Sequence, residues 1–217
     1  MRLLLSIMLR SSLLAALLLL PSLPAAAAGD PCAGQSPDRC WAFRCPPAGT
    51  QVAASDGSSV EYLGVVAGDP RICRARASAP GGGPPEEISL VFGVMFWGSR
   101  GDVEAERRAE ADRIAPFFPA RPGHSITIST PSSRTTWSLR GIAVENTPVG
   151  RRRVVRITQR FEQPIPGQPL TIELTTYALD AETGAVIGGE VETRRGREVS
   201  REPAPAMTRF TVPAERR

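Results

Sequence analysis

Four cysteines, Cys32, Cys40, Cys45 and Cys73, and a single histidine, His124, are the residues of this 217-residue chain best suited to covalent or metal chemistry. Zinc is not expected to use them. The cysteine spacings contain no C-x-x-C pair, and a catalytic site of three protein ligands would want a second imidazole. In an oxidising compartment the thiols pair instead, and four cysteines allow three pairings. The favoured one joins Cys32 to Cys40 and Cys45 to Cys73, because the second bridge brackets a hairpin-like segment and would clamp its two ends. In a chain-entropy account those loops contribute roughly 2.5 and 3.5 kcal/mol.

His124 has Asp112, Ser125 and Ser129 as its nearest partners in sequence. A nucleophilic triad needs a serine within reach of the imidazole and an acid behind it, yet no G-x-S-x-G elbow or similar context surrounds any serine. His124 therefore reads as an ordinary residue at the start of a strand, and a hydrolase built on it is the remotest of three functional expectations. No glycine-rich phosphate loop is present either, because Gly81, Gly82 and Gly83 sit among prolines and open no helix. No cofactor is expected.

The remaining chemistry is that of arginine, which supplies every basic residue of the chain. Guanidinium groups favour bidentate contacts to carboxylate or phosphate, so Arg151, Arg152 and Arg153 are candidate anion contacts. A second run, Arg194, Arg195 and Arg197, falls at the opposite end of the sheet by the strand count, roughly 30 Å away for strands of about ten residues. The two runs should not form one patch.

Compartment is set by the first 28 residues. Arg2 opens a basic region, Leu13 to Leu20 form an apolar core, and Ala25 to Ala28 offer small-residue cleavage sites, the pattern of a secretory signal peptide. Cleavage after Ala28 leaves 189 residues and lowers the net charge from +4 to +2, since Arg2 and Arg10 leave and no acid does. That balance gives no case for nucleic acid. Gly29, Asp30 and Pro31 before Cys32 lack the pattern of a lipidation signal. The chain is expected to be exported, periplasmic or extracellular, with no transmembrane segment after cleavage.

The elements that must position these residues follow from turn chemistry and periodicity. Thr50 to Ala54 and Ser59 to Leu63 flank Asp56-Gly57 and predict a hairpin within a cysteine-stapled region, residues 29–79. A Gly/Pro-rich linker at residues 80–87 leads to an antiparallel β domain, residues 88–217, that opens on a buried strand from Ile88 to Phe96. One helix is predicted over about residues 103–115, with Ser99 or Asp102 as its cap and Pro116 as its stop. Val103, Ala111, Ile114 and Phe118 recur at helical spacing on the face that docks. Strands then run at residues 125–129, 135–144, 153–162, 170–179, 185–193 and 207–212 as a meander. Trp41, Trp97 and Trp137, with Phe92, Phe96, Phe117 and Phe118, read as core. The fold class is mainly β (α+β): a curved antiparallel meander packed against one helix, with an N-terminal disulfide-stapled hairpin.

Thr147-Pro148-Val149-Gly150 leading into Val154-Val155-Arg156-Ile157, followed by the stretch from Thr176 through Asp180-Ala181-Glu182-Thr183-Gly184 to Val186, resembles uncharacterised secreted bacterial β-sheet domains of a lipoprotein-carrier-like half-barrel type. The resemblance implies a curved antiparallel sheet. Arg151 and Arg152 stand where that pattern has an aromatic residue, so no functional residue is carried over. The leading expectation is a non-enzymatic β-protein binding an envelope or extracellular component, a hydrophobic small molecule among them. The alternative is a structural or assembly protein pairing through an edge strand. Oligomeric state is not fixed by these features.

Overall fold

A computed structural model describes residues 31–81, 84–97 and 104–214, with residues 95–97 as backbone alone. The expected leader, the helix cap at Ser99 or Asp102, and the side chains of Phe96 and Trp97 lie outside these residues.

Among the described residues, twelve strands form two six-stranded antiparallel sheets, accompanied by one α-helix. The first has the order β12-β1-β2-β3-β4-β5, where β1 is Gln51–Ala54, β2 Ser59–Val66, β3 Asp69–Ser78, β4 Glu86–Val91, β5 Met95–Trp97 and β12 Met207–Thr211. The second has the order β11-β10-β9-β8-β7-β6, where β6 is Ser125–Ser129, β7 Arg134–Thr147, β8 Gly150–Gln163, β9 Thr171–Asp180, β10 Val186–Arg195 and β11 Glu198–Pro203. Helix α1, Glu104–Ile114, continues into a short 3-10 turn at Ala115–Phe117. Acids at Glu104 and Glu106 suit its N-terminal dipole, and Glu104 pairs with Arg108 one turn on.

Two sequence expectations are corrected, and two strands are added to those expected. The run from Ile88 to Phe96 is two strands: the chain folds back at Phe92-Gly93-Val94, with Phe92 at φ 49° and Gly93 at φ 71°. Its apolar continuity reflects burial on both sides of a turn, because the Phe92 ring stacks on Phe118 at 4.3 Å. Asp69–Ser78 is a strand with no counterpart among the expected elements, its period masked by Pro70, Arg71, Arg74 and Arg76. Glu198–Pro203 is also a strand, exposed at every position and so without alternation. The strand at Met207 belongs to no meander but pairs with β1. β3 and β4 pair directly from Ala77↔Glu86 to Ile72↔Val91, so Glu86 and Glu87 of the expected linker 80–87 lie in β4.

Two cores result. Ile72 and Val91 of the first sheet meet Ala111, Ile114 and Phe117 of the helix and Trp137, Val155, Ile157 and Leu179 of the second sheet. On the other side, Cys73, Ala75 and Leu90 meet Val154, Ala178 and Ile187. Adjacent Val154 and Val155 are each buried against a different core, so β8 is covered on both faces where the sheets meet. The bridges Cys32–Cys40 and Cys45–Cys73 close with Cα separations of 5.6 and 5.5 Å. Such bonds fit an oxidising, extracytoplasmic compartment.

The Asp180 to Gly184 turn of the quoted motif has a structural task. Asp180 Oδ2 accepts from the Thr183 N–H and hydroxyl at 3.0 and 2.7 Å, closing the turn. The Ala181 carbonyl accepts from Trp41 Nε1 at 3.0 Å, which anchors the N-terminal segment across the sheet. At the far side Asp69 is almost enclosed and takes three bonds from Arg71, whose guanidinium also reaches Asp112 on α1. These bonds hold the Asp69 carboxyl below the usual aspartate range, against the opposing effect of burial. A carboxylate lowered in the folded state contributes stability that is present above its ordinary value of 3.8 and lost as pH falls through the lowered one. Asp69→Asn is expected to cost about 1–3 kcal/mol at neutral pH. In chemical denaturation from pH 7 down to about 2, the gap between the two proteins should close below pH 4.

Candidate functional site

On the sheet surface facing the helix, the described aromatic side chains pack against one another. Phe92, Phe117, Phe118, Trp41 and Phe43 form a linked aromatic cluster beneath α1, with ring centroids 4.3–6.0 Å apart. Trp137 is 1% exposed and stacks on Tyr177, so the aromatic residues described serve as core. Burial and Glu173 push the Tyr177 hydroxyl up to about 12, and it donates to Gln159.

Strand alternation divides the first arginine run. Arg151 is exposed, Arg152 lies 4.9 Å over the Phe210 ring of β12, and Arg153 points to the opposite face with its Nε buried. The second run begins at the end of β10, where Arg194 and Arg195 pair with Ile172 and Thr171, at the other end of the sheet. His124 stacks at 5.8 Å on Phe117, and no carboxylate among the described residues pairs with its ring. Among those residues, no group of three or more His, Cys, Asp or Glu could hold a metal ion. No described helix is long and apolar enough to cross a membrane.

What the structure adds is a cleft of about 210 Å³ where the chain crosses from β11 of the second sheet to β12 of the first. Its apolar floor is Val154, Ala178, Ile187 and Met207, each at most 6% exposed. One wall is the β7–β8 turn, braced by the Thr147 hydroxyl donating to the Gly150 carbonyl at 2.7 Å. The other is the segment 204–206, held by Ala204 N–H to Gly189 O at 3.0 Å and Ser55 N–H to Ala206 O at 2.8 Å. Over the floor sits a bidentate pair, Arg156 Nε and Nη2 to the two oxygens of Glu145 at 2.8 and 2.6 Å. The guanidinium holds the Glu145 carboxyl below its usual range, outweighing desolvation. An apolar floor under a pre-organised charge pair suits a short apolar group that carries a polar end.

No family model matches the chain, and no curated protein matches it. Among solved structures it is similar to a protein assigned as exported, with a YmcC-like fold, from Bacteroides fragilis, at 14% identity and a TM-score of 0.35. The alignment covers 79% of this chain and 100% of that one. A second, assigned as a lipoprotein from Parabacteroides distasonis, gives 10% identity and 0.38 over 79% and 99%. Likenesses this distant assign neither activity nor site residues.

Sequence reasoning did not find the cleft, because its floor comes from four strands. Part of it was accessible: counting outward from the Pro148-Val149 turn places Glu145, Arg152, Val154 and Arg156 on one face. The contribution of Met207 depends on where β12 goes, which no local pattern states.

Proposed function

We propose that the chain is an exported, non-enzymatic β-protein that holds the apolar end of an amphipathic envelope or extracellular molecule in the cleft under Glu145 and Arg156. Export is supported by the leader-like first 28 residues and by two disulfides. The observation that carries the binding reading is the juxtaposition of a buried apolar floor with one bidentate ion pair at its rim. We place the ligand at this junction, where the described residues form a cleft between the two sheets.

Gly188 provides the test, since a Cβ there meets only Ala178 at 3.9 Å and a larger side chain can grow into the cleft. Octanoate, titrated against protein with labelled methionine methyls, is expected to shift the Met207 signal. Gly188→Leu should weaken that response at least about tenfold while leaving the melting transition near that of the parent. Native mass spectrometry of protein recovered from the export compartment should show a bound small molecule that Gly188→Leu lacks. An unmoved Met207 signal at millimolar octanoate, with no co-purifying mass, would sink the reading.

A further inference from the structure

The two ends of the second sheet are protected unequally. At β11 the edge carries Glu198, Arg201, Glu202 and Pro203, the residues that discourage strand addition. At β6 the edge reads Ser125-Ile126-Thr127-Ile128-Ser129, without charge or proline, and rich in β-branched residues. Among the described residues no strand pairs with its outer side.

That sequence is a palindrome, and its symmetry matches its hydrogen-bonding phase. Thr130 N–H donates to Ser133 O at 2.8 Å, so Thr130 and Ser133 are a hydrogen-bonded pair at the end of the hairpin. The ladder from there to Ser125↔Ser138 has no register shift. Alternation then makes Ile128↔Thr135 and Ile126↔Trp137 the inward-bonded pairs, and turns the N–H and C=O of Ser125, Thr127 and Ser129 outward.

We infer that β6 is a self-association edge, on which a second copy of this chain pairs antiparallel about a two-fold axis through Thr127. In that register Thr127 exchanges both backbone bonds with its own counterpart, and each Ser125 does so with Ser129 of the second copy. Every outward group of the strand is satisfied. Ile126 faces Ile128 of the second copy in the closer, non-hydrogen-bonded arrangement, extending the apolar row that begins at buried Trp137. On the opposite face the Thr127–Thr136 hydroxyl contact at 3.0 Å becomes the inner half of a row of four threonines. No charge meets its like across the axis, and the two sheets become one of twelve strands. The pairing is isologous, so it closes at two copies and does not propagate. It is independent of the cleft, which lies at the far side of the sheet toward β10 and β12.

Sedimentation of the exported full-length product, from about 5 to 500 µM, is expected to show a reversible monomer–dimer equilibrium. Thr127→Pro removes an outward N–H without touching the β7 ladder, and Thr127→Arg sets two cations face to face on the axis. Each should raise the dimer dissociation constant at least about tenfold, with Val199→Arg on the β11 edge as the neutral control. Thr127→Cys should give a covalent dimer under oxidising conditions, because a hydrogen-bonded antiparallel pair sets the Cα atoms about 5.5 Å apart. Circular dichroism reports folding of each variant. A monomer throughout the range, or a dimer indifferent to Thr127→Pro and Thr127→Arg, overturns the inference.

Discussion

Replacing both Cys45 and Cys73 by alanine is expected to lower stability by about 3.5 kcal/mol, the loop-closure contribution of a bridge spanning 28 residues. The corresponding change at Cys32 and Cys40, eight residues apart, should cost about 2.5 kcal/mol. Urea midpoints of the two double variants measure the difference. Their structural consequences should differ more than their energies. Cys73 is fully buried with Tyr62, Leu90 and Val154, so its loss loosens the contact between the two sheets as well as the hairpin. Limited proteolysis should therefore find new cuts in β2 and β3, and the Tyr62 hydroxyl, which accepts the Val186 N–H at 3.2 Å, should lose its protection. Burial pushes that hydroxyl up to about 12 in the intact protein, and its titration should move down toward the ordinary tyrosine value of 10. Cuts confined to residues 31–50 would count against a shared core.

Gly184→Ala is expected to cost about 3 kcal/mol or more. Its backbone is left-handed at φ 79°, which alone penalises an L side chain by about 1–2 kcal/mol. A Cβ built there would sit 2.1 Å from the Arg44 carbonyl oxygen, a backbone atom that cannot turn aside. The strand-like segment through Trp41 and Phe43 must then lift from the turn, which strains the Trp41–Ala181 bond. Gly167→Ala is the comparator, since it shares the sign of φ at 76° but has nothing within 4 Å. A midpoint shift at Gly184 no larger than at Gly167 would remove the steric part of the argument.

Much of the strand pattern was legible because turn chemistry is local. Ser125–Ser129 stands where alternation put it, Asp56-Gly57 joins β1 to β2, and the helix ends before Pro116 as its restriction on the preceding residue requires. What failed were elements whose signal is tertiary. The exposed β11 carries no apolar phase to read, and β3 hides one behind alternating arginines. The run around Phe92 could not reveal its turn, because a bend packed on Phe118 is as apolar as the strands beside it. The cleft shared that fate: Glu145 and Arg156 lie within one hairpin, whereas Ile187 and Met207 come from strands whose partners only the fold decides.

The pairing of β12 with β1 ties the last strand of the chain to the first. A chain that emerges amino end first, from a ribosome or across a membrane, therefore presents β1 to β4 long before the strand that completes their sheet exists. The second sheet, built of sequential hairpins from Ser125 to Pro203, can close as it appears and at low cost in loop entropy. The first waits for residue 207 and keeps the flank of β1 without its neighbour until then. Cys45 and Cys73 both precede that moment, so oxidation can fix the half-built sheet while its edge is still bare. Timing of emergence, rather than sequence of contacts, then decides when this protein is most exposed to wrong partners.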